Sequence, residues 1–431
     1  TRRSSDLGMW AASLRYHEGR FYICFVANDT RKTYLYTSEK IDGPWKKQLI
    51  EGFYHDGSLL FDEDGRNYIV YGNDEIWITE LNEDLTAPKK DGLHRLLVSD
   101  HKNPELGYEG SHIQKINGYY YIFLVHSLRD RWMRTEACFY SDSLEGEFTG
   151  GDVLCDDRGY CGQGVAQGGI VDTPDGKWYA MLFQDSGAVG RIPILLPVTW
   201  KDHFPVFGQN GHVPEEIEVH STRPGYIYQP LVGSDDFCNG LLPRWQFNHD
   251  PDPRYYHLDA LQGTYTITTR EVCTELTQAV NTLTQRMSYP SCAAEVTVDA
   301  SALKEGDVAG LCALQGCYAA VGITKHHGKY EVLMLDKKED GILDMTEGTV
   351  VESHQMDFRL EADFCNMKDE ARCYYRVNKG DWLPIGTVHK LYFKLDHFTG
   401  CRFGLFCYAA EEKGGSACFR DFKYYDVDEI S

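Results

Sequence analysis

The chain has 431 residues, of which 42% are hydrophobic, and a formal net charge of −22. This apolar content is sufficient for packed cores in two or three domains. The negative charge repels nucleic acid and anionic lipid, and no apolar run is long enough to cross a bilayer, so we predict neither a nucleic-acid nor a membrane partner. A small neutral or cationic ligand is the expected partner, although solubility alone explains the charge equally well.

Short apolar and aromatic clusters separated by Gly, Asn and Asp run along the chain, a pattern typical of many short strands and of an all-β fold. In the first 210 residues one hairpin unit recurs: a strand, a polar turn with glycine and an aromatic strand. Its turn glycines, at intervals of 46, 53 and 58 residues, are Gly19, Gly65, Gly118 and Gly176. That spacing predicts four-stranded β-propeller blades, four of which are visible in the sequence.

The innermost strand of each propeller blade lines the central channel, so equivalent positions of different blades converge near the axis. Counting nine residues back from each turn glycine gives Trp10, Asp56, Glu109 and Gln167. The sequence therefore predicts that an aromatic ring, two carboxylates and an amide meet at one place.

A polar connector follows the repeats at 209–234, and we place the domain boundary so that 1–231 form the propeller and 232–431 form a second domain. Beyond the connector, alternating runs such as 292–299 and 306–314 predict antiparallel strands with one buried face. The second domain is therefore predicted to be a lectin-like β-sandwich.

Asp56 and Glu109 are of the residue type that hydrolysis of a glycosidic bond requires: one carboxylic acid protonates the leaving oxygen and a second carboxylate assists. A Glu beside a negative neighbour in a partly dry pocket retains its proton, because repulsion and desolvation both disfavour its ionised form. We therefore assign Glu109 as the general acid and Asp56 as the neighbour that tunes it and holds the sugar. Two alternatives stay open: both carboxylates satisfy backbone donors at strand ends, and Trp10 is a core residue instead of a sugar platform.

At these residues the sequence resembles glycoside hydrolase family 43, the propeller family of β-xylosidases and α-L-arabinofuranosidases. The matching stretches are 10–16, 55–65, 109–112, 168–178 and 190–200. The resemblance implies a five-bladed propeller and an inverting reaction with an Asp general base, an Asp that tunes the acid and a Glu general acid. Asp56 and Glu109 match the second and third of these. The substrate-binding candidates are Trp10, His55, Gln167 and Arg191, of which Arg191 matches an arginine that approaches the substrate in the family.

The sequence departs from the family pattern at two places. The family's base lies on a blade ahead of Trp10, and 1–9 does not resemble that blade, so we expect the first blade to be missing from this chain. Asp6 is the only acidic residue ahead of Trp10, but no strand pattern surrounds it. The second departure is Gln167, which stands where many members have a His that organises an axial metal ion or water cluster.

An amide is a poor ligand for transition metals, so we assign no metal ligand and expect no required cofactor. Calcium bound by oxygen atoms near the axis stays open. Asp236 and Asp421 of the second domain resemble a structural calcium pair, although turn capping is the favoured interpretation of each.

The sequence thus predicts an exo-acting, inverting hydrolase that removes terminal xylose or arabinofuranose from plant-wall (arabino)xylan oligosaccharides. The alternatives are a carbohydrate-binding protein that lacks the base and, ranked last because no WD-type repeats occur, a propeller scaffold for protein partners. Fourteen Cys without zinc-ligand spacing indicate free thiols and the cytoplasm of a bacterium, with secretion open if the chain is truncated at its start. Exposed sheet edges of an incomplete propeller favour homo-oligomers.

Overall fold

The computed structural model describes residues 8–221, 223–394 and 399–426. Its regular elements are β-strands, apart from short 3-10 turns at Gly187–Val189, Leu276–Gln278 and Cys365–Met367. The all-β prediction is therefore confirmed. Among the described residues there is no helix long and apolar enough to cross a membrane. All fourteen cysteines are free thiols, as the sequence predicts.

Contacts divide the chain into two units. The first is Thr1–Asp185 with Arg191–Thr222, and the second is Ser186–Gly190 with Arg223–Ser431. The division thus falls after Thr222 instead of after residue 231, and the loop Ser186–Gly190 belongs to the second unit. In the described part of 208–245 no strand is present, in agreement with the predicted polar connector.

The first unit contains four antiparallel four-stranded sheets, each built from consecutive strands. In chain order the strands are β1 (Met9–His17), β2 (Arg20–Ala27), β3 (Lys32–Ser38), β4 (Lys46–Ile50), β5 (Ser58–Phe61), β6 (Asn67–Asn73), β7 (Glu75–Leu81), β8 (His94–Ser99), β9 (Glu109–Ile116), β10 (Tyr119–Ser127), β11 (Arg134–Ser141), β12 (Thr149–Leu154), β13 (Ala166–Asp172), β14 (Trp178–Asp185), β15 (Arg191–Lys201) and β16 (Phe204–Phe207). These sheets are the four predicted blades of a propeller.

Each pair of consecutive blades shares a hydrophobic core, because successive side chains of a strand point to opposite faces of its sheet. On β6, Ile69 lies in the core between the first and second blades, whereas Tyr68 and Val70 lie in the core between the second and third. On β10, Ile122 lies in the core between the second and third blades, and Phe123 lies in the core between the third and fourth blades. An interior blade therefore needs strands that are apolar on both faces.

The predicted hairpins are confirmed, but their turns differ in length. Two-residue turns with positive φ at both positions close the first and third blades, at Glu18–Gly19 and Asn117–Gly118. Longer turns at 62–66 and 173–177 close the second and fourth blades, with backbone bonds from Asp62 N to Arg66 O (2.9 Å) and from Thr173 N to Lys177 O (2.8 Å). Counting nine residues back from each turn glycine therefore does not reach equivalent positions. The residues reached in the second and fourth blades are one position further along the strand than those reached in the first and third.

The observed strand pairing gives the correct equivalence. Ser13 pairs with Cys24, Ser58 with Val70, His112 with Phe123, and Gly169 with Met181. Three residues before each of these, the equivalent positions are Trp10, His55, Glu109 and Ala166. Between these two sets of equivalent positions each inner strand is irregular. The first residue of the irregular stretch has a left-handed φ: +33° at Ala11, +48° at Asp56, +68° at Gly110 and +70° at Gln167. We call these four residues the bulge residues.

Polar side chains of the inner strands connect the blades. The Ser13 hydroxyl donates to Gly57 O (2.8 Å), the Ser111 hydroxyl donates to Asp56 O (2.7 Å), and Gln114 Nε2 donates to Ile170 O (2.8 Å). Arg15 reaches further, since its guanidinium donates to Leu59 O of the second blade and to Ile113 O of the third, both at 3.0 Å. These bonds fix the bulge residues of different blades relative to one another.

The second unit is a two-sheet sandwich. One sheet has the order β17-β20-β30-β22-β23-β24-β25 with β26 also on β24, and the other has the order β18-β19-β31-β21-β27-β28-β29. The strands are β17 (Gln246–Phe247), β18 (Tyr256–Asp259), β19 (Thr264–Thr268), β20 (Leu283–Arg286), β21 (Ser291–Asp299), β22 (Val308–Leu314), β23 (Tyr318–His326), β24 (Lys329–Lys337), β25 (Leu343–Met345), β26 (Thr349–Val351), β27 (Gln355–Asp363), β28 (Glu370–Val377), β29 (Leu383–Lys390), β30 (Arg402–Tyr408) and β31 (Ser416–Asp426).

The two calcium candidates lie on this sandwich. Asp236 Oδ1 accepts the N–H of Cys238 at 3.0 Å, which is a turn-capping contact. Asp421 is a residue with left-handed φ at a register shift of β31. A calcium ion at this pair stays a prediction.

We expect Arg15→Met to lower the free energy of unfolding of the first unit by about 2–4 kcal/mol, because the carbonyls of Leu59 and Ile113 lose their donor. Urea denaturation measures this effect. Arg66→Met is the matched control, since its partner Asp64 is a surface carboxylate and such pairs contribute about 1 kcal/mol or less. Equal losses of stability in the two variants would contradict the role of Arg15.

Candidate functional site

Three titratable side chains meet where the second and third blades join. His55 and Asp56 precede β5, and Glu109 begins β9, so all three lie at the irregular start of an inner strand. His55 Nε2 lies 3.7 Å from Asp56 Oδ2 and 3.7 Å from Glu109 Oε2. One ligand-type atom of each residue lies within 4.8 Å of those of the other two. The structure therefore brings together the two carboxylates that the sequence predicts to meet.

The two carboxylates differ in exposure and in hydrogen-bond partners. Asp56 is 6% exposed, and its Oδ2 accepts the N–H of Gly110 at 3.0 Å. The Glu109 side chain is 22% exposed, and its Oε2 accepts Nδ2 of Asn73 at 2.9 Å. Glu109 is thus the carboxyl group that a ligand in the channel can reach, and Asp56 lies behind it.

Burial and charge shift the protonation of this group. Burial raises the pKa of Asp56 to about 6, with the Glu109 charge adding to the rise and with His55, the Gly110 N–H and Arg191 opposing it. Burial alone lowers the pKa of His55, but the carboxylates of Glu109 and Asp56 outweigh that effect and raise it above 6.5. The site therefore favours the neutral form of Asp56 and the charged form of His55 more than water does.

Arg191 belongs to a second cluster at the fourth blade. Its Nε donates to Asp185 Oδ1 at 3.0 Å, and Asp185 Oδ2 accepts from Arg134 Nη1 at 3.3 Å. Both guanidinium groups lie 4.5 Å from the centre of the Phe183 ring. The Arg134 side chain is 3% exposed and the Arg191 side chain is 26% exposed, so Arg191 is the more accessible of these two cations.

The remaining predicted site residues lie around these groups. The Trp10 ring centroid is 6.2 Å from that of His55. Gln167 contacts the back of the site: a Cβ placed on Gly110 would lie 2.7 Å from Gln167 Cγ, so only glycine fits there. Asp6, the weak candidate for a base, lies outside the described residues.

His55, Asp56 and Glu109 also form a group that could hold a metal ion, the only such group of three among the described His, Cys, Asp and Glu residues. Their nitrogen and oxygen donors suit several divalent ions. A sugar and an ion would compete for these atoms. The expectation that no metal is required stays a prediction.

Several polar residues of the site escape sequence reasoning. Asn73, Arg134 and Asp185 bind the predicted residues but belong to strands that the sequence analysis treats as structural. A signal exists for one pair: Arg134 and Glu136 stand two residues apart on β11, so both point to one face of a strand that also buries Ala137 and Cys138. Charged residues in a buried strand require partners, which indicates a site.

The fold and the site define a propeller protein with paired carboxylates in its channel and a β-sandwich domain. Residues 1–205 match the sequence profile described as "Glycosyl hydrolases family 43", and residues 234–425 match "Beta xylosidase C-terminal Concanavalin A-like domain". The chain therefore belongs to glycosyl hydrolases family 43, with the lectin-like accessory sandwich that the sequence analysis predicts.

Similar proteins carry glycosidase names. The chain is 25% identical over 485 residues to a beta-xylosidase of Formosa agariphila, covering 98% of this chain and 77% of that protein. It is 24% identical over 280 residues to a non-reducing end alpha-L-arabinofuranosidase of Bacteroides ovatus, covering 60% of this chain and 51% of that protein. A further relative, from Xylanibacter ruminicola, is 28% identical over 334 residues, and this chain spans 60% of its length.

Among solved structures, a bifunctional GH43-CE protein of Bacteroides eggerthii superposes with a TM-score of 0.86 at 40% identity, over 99% of this chain and 55% of that chain. A GH43 glycoside hydrolase engineered for endo-xylanase and exo-arabinofuranosidase activity superposes with a TM-score of 0.83 at 25% identity, over 98% of this chain and 88% of that chain.

We expect Glu109→Gln to lower the pKa of His55, because the substitution removes the negative charge 3.7 Å from Nε2. The titration of the His55 imidazole resonance, assigned by its loss in His55→Gln, measures the midpoint. Glu63→Gln is the control, since Glu63 is a surface residue whose side chain is 83% exposed. A midpoint that is the same in Glu109→Gln and in the unchanged chain would contradict the observed geometry.

Proposed function

We propose that this chain carries the general acid of an exo-acting, inverting glycosidase that removes terminal xylose or arabinofuranose from (arabino)xylan oligosaccharides. The observation that carries the proposal is the pair of carboxyl groups at the channel, Glu109 partly exposed and Asp56 buried, with ligand atoms within 4.8 Å of one another. The names of the relatives from Formosa agariphila and Bacteroides ovatus support the substrate class and the attack at a chain end.

In this proposal Glu109 is the general acid that protonates the leaving oxygen. Asn73 holds one of its oxygens, and the other is free to face the bond that breaks. Asp56 is the charged neighbour behind Glu109, and its carboxyl group also holds a sugar hydroxyl. Trp10 provides a face for the sugar ring, and Arg191 and His55 provide donors for its oxygens.

The short distance between the carboxyl groups limits the role of Asp56. In inverting enzymes acid and base stand about 6.5–9.5 Å apart to leave room for a water molecule, and in retaining enzymes acid and nucleophile stand about 5–5.5 Å apart. Asp56 is too close to Glu109 to activate an interposed water. As a nucleophile it is poorly placed, because it is 6% exposed and its Oδ2 accepts the N–H of Gly110. The general base of the proposal is therefore a third carboxylate.

We further propose that this third carboxylate belongs to a fifth blade between the fourth and first blades. Two sheet faces support this arrangement. On the first blade, Leu14 and Tyr16 are 49% and 64% exposed, and on the fourth blade Val171 and Met181 are 54% and 49% exposed. On the fourth blade these residues alternate with Ile170, Ala180 and Leu182, which lie in the core shared with the third blade. On the first blade they alternate with Ser13 and Arg15, which bond to the second blade. Both apolar faces lack a covering sheet among the described residues.

The first test uses the leaving group. Protonation of the leaving oxygen matters for alkoxide leaving groups and little for activated phenols, so we expect Glu109→Gln to lower kcat/KM for xylobiose about 10²–10⁴-fold and that for a dinitrophenyl xyloside far less. The measurement uses the longest form of the protein that its gene encodes, with Glu63→Gln as the control. Equal losses on both substrates would remove Glu109 from the acid role.

The same preparation tests the alternative of a non-catalytic carbohydrate-binding protein. Calorimetry with xylobiose beside the hydrolysis assay separates the two functions. Binding without turnover would support the binding protein, and turnover would exclude it.

The second test concerns stereochemistry. We expect the first-formed sugar to have the anomeric configuration opposite to that of the substrate, because the proposed third carboxylate acts as a base on water and the buried Asp56 is poorly placed to attack the sugar. Proton NMR of the anomeric signals during early turnover measures this. A product with the configuration of the substrate would show a retaining reaction and overturn the inverting mechanism.

A further inference from the structure

A buried carboxyl group of the third blade has no role in the chemistry described above. Glu136, on β11, is 0% exposed. Its Oε2 accepts the backbone N–H of Gln167 at 2.7 Å. Its Oε1 is buried and has no hydrogen-bond partner among the described residues. Burying a carboxyl group costs free energy unless its oxygen atoms are hydrogen-bonded. The hydrogen bond from the Gln167 N–H is the one that accompanies this cost at Glu136.

Burial raises the pKa of Glu136 well above 4.5, with the Gln167 N–H and the Arg134 charge opposing the rise. This environment therefore disfavours the ionised form of Glu136. A neutral carboxyl oxygen still accepts the Gln167 N–H, so the contact does not depend on ionisation.

The contact fixes a bulge residue in a conformation that only glycine adopts freely. Gln167 has φ +70°, which its side chain disfavours. Arg134 Nη2 donates to Gln167 Oε1 at 3.3 Å, so β11 contacts both the backbone and the side chain of Gln167. The neighbours of Gln167 on β11 thus determine where its side chain lies.

The position of Gln167 determines in turn the position of Asp56. The Gln167 side chain packs on Gly110, where an added Cβ would lie 2.7 Å from Cγ. The N–H of Gly110 donates to Asp56 Oδ2 at 3.0 Å, and the Ser111 hydroxyl donates to Asp56 O at 2.7 Å. A displacement of Gln167 therefore reaches the carboxyl pair through Gly110.

We propose that Glu136 is a positioning residue of the site, which holds Gln167 against Gly110 and thereby fixes Asp56 relative to Glu109 and His55. Its consequence for turnover rests on the proposed glycosidase function. Its consequence for the geometry does not, because the pKa of His55 depends on the placement of both carboxylates.

The experiment compares Glu136→Gln, which retains an acceptor and the volume, with Glu136→Met, which removes the acceptor. Two readouts are measured with a chelator present to keep metal ions off His55: the titration midpoint of the His55 imidazole resonance, and kcat and KM for an aryl xyloside. We expect Glu136→Gln to leave the midpoint unchanged and kcat within about twofold. We expect Glu136→Met to lower the midpoint and to lower kcat about 10²-fold with a smaller change in KM, because misplaced groups lose catalysis more than binding.

Asp307 of the sandwich supplies a matched control. It is 0% exposed, its Oδ2 accepts the N–H of Lys304 at 2.7 Å, and its Oδ1 is buried without a partner among the described residues. Asp307→Ala therefore imposes a comparable loss of a buried carboxyl group far along the chain from the site. We expect it to affect stability and to leave the His55 midpoint and KM unchanged.

The outcomes separate the two proposals. If the unchanged protein shows no turnover, the glycosidase function fails while the His55 midpoint still decides the role of Glu136. An unchanged midpoint in folded Glu136→Met overturns that role. If Glu136→Met does not fold, Gln167→Ala is the deciding variant. It keeps the backbone N–H that Glu136 accepts but removes the side chain that packs on Gly110. An unchanged His55 midpoint in Gln167→Ala overturns the proposal.

Discussion

The site depends on one backbone constraint, the left-handed residue near the start of each inner strand. In an extended strand, consecutive side chains point to opposite faces, so His55 and Asp56 could not both approach Glu109. The positive φ of Asp56 interrupts that alternation and re-aims its carboxyl group. A residue other than glycine in this conformation costs about 1–2 kcal/mol. The structure offsets the cost locally, through the bonds from Gly110 and Ser111 to Asp56 and through that from Gln167 to Glu136.

The same constraint gives chemically similar groups different environments. Residues just before a bulge, such as His55 and Glu109, keep part of their side chains open to the channel. Asp56, at the bulge, is buried against the next blade. Desolvation therefore acts chiefly on Asp56, and its pKa rises to about 6. A difference of one backbone position thus places one carboxylate in a buried environment and the other in a partly exposed one.

The sequence predicts the blades because their two signals, alternating apolar residues and glycine turns, are local. It also brings Asp56 and Glu109 to one site, although by a count that is wrong by one residue between blades. That error has a physical origin: the count assumes equal turns, whereas Gly19 and Gly118 close two-residue turns and Gly65 and Gly176 lie in longer ones. The count gives Asp56 for the second blade, whereas the equivalent residue is its neighbour His55. Both residues lie at the same bulge, so the error leaves the predicted residue in the site.

The residues that sequence reasoning missed are those whose role depends on contacts across blades. Nothing next to Arg134 or Glu136 in the sequence indicates that both contact Gln167, thirty or more residues away. Arg134 and Arg191 illustrate the same limit, because both bind Asp185 and lie over Phe183, yet only Arg191 is partly exposed. Which of two equivalent cations faces the channel is decided by the packing of neighbouring blades, and that packing has no local sequence pattern.

These contacts make the site a property of consecutive blades instead of any one blade. Asp56 belongs to the second blade but is held by Gly110 of the third, and Gln167 belongs to the fourth but is held by Glu136 of the third. Each bulge residue with a polar side chain thus receives support from the adjacent blade. Ala11, the bulge residue of the first blade, is exposed and carries no polar side chain that would need such support. The carboxyl geometry therefore depends on the propeller interfaces, and a substitution that loosens the third blade against either neighbour alters the acid even when it contacts no sugar.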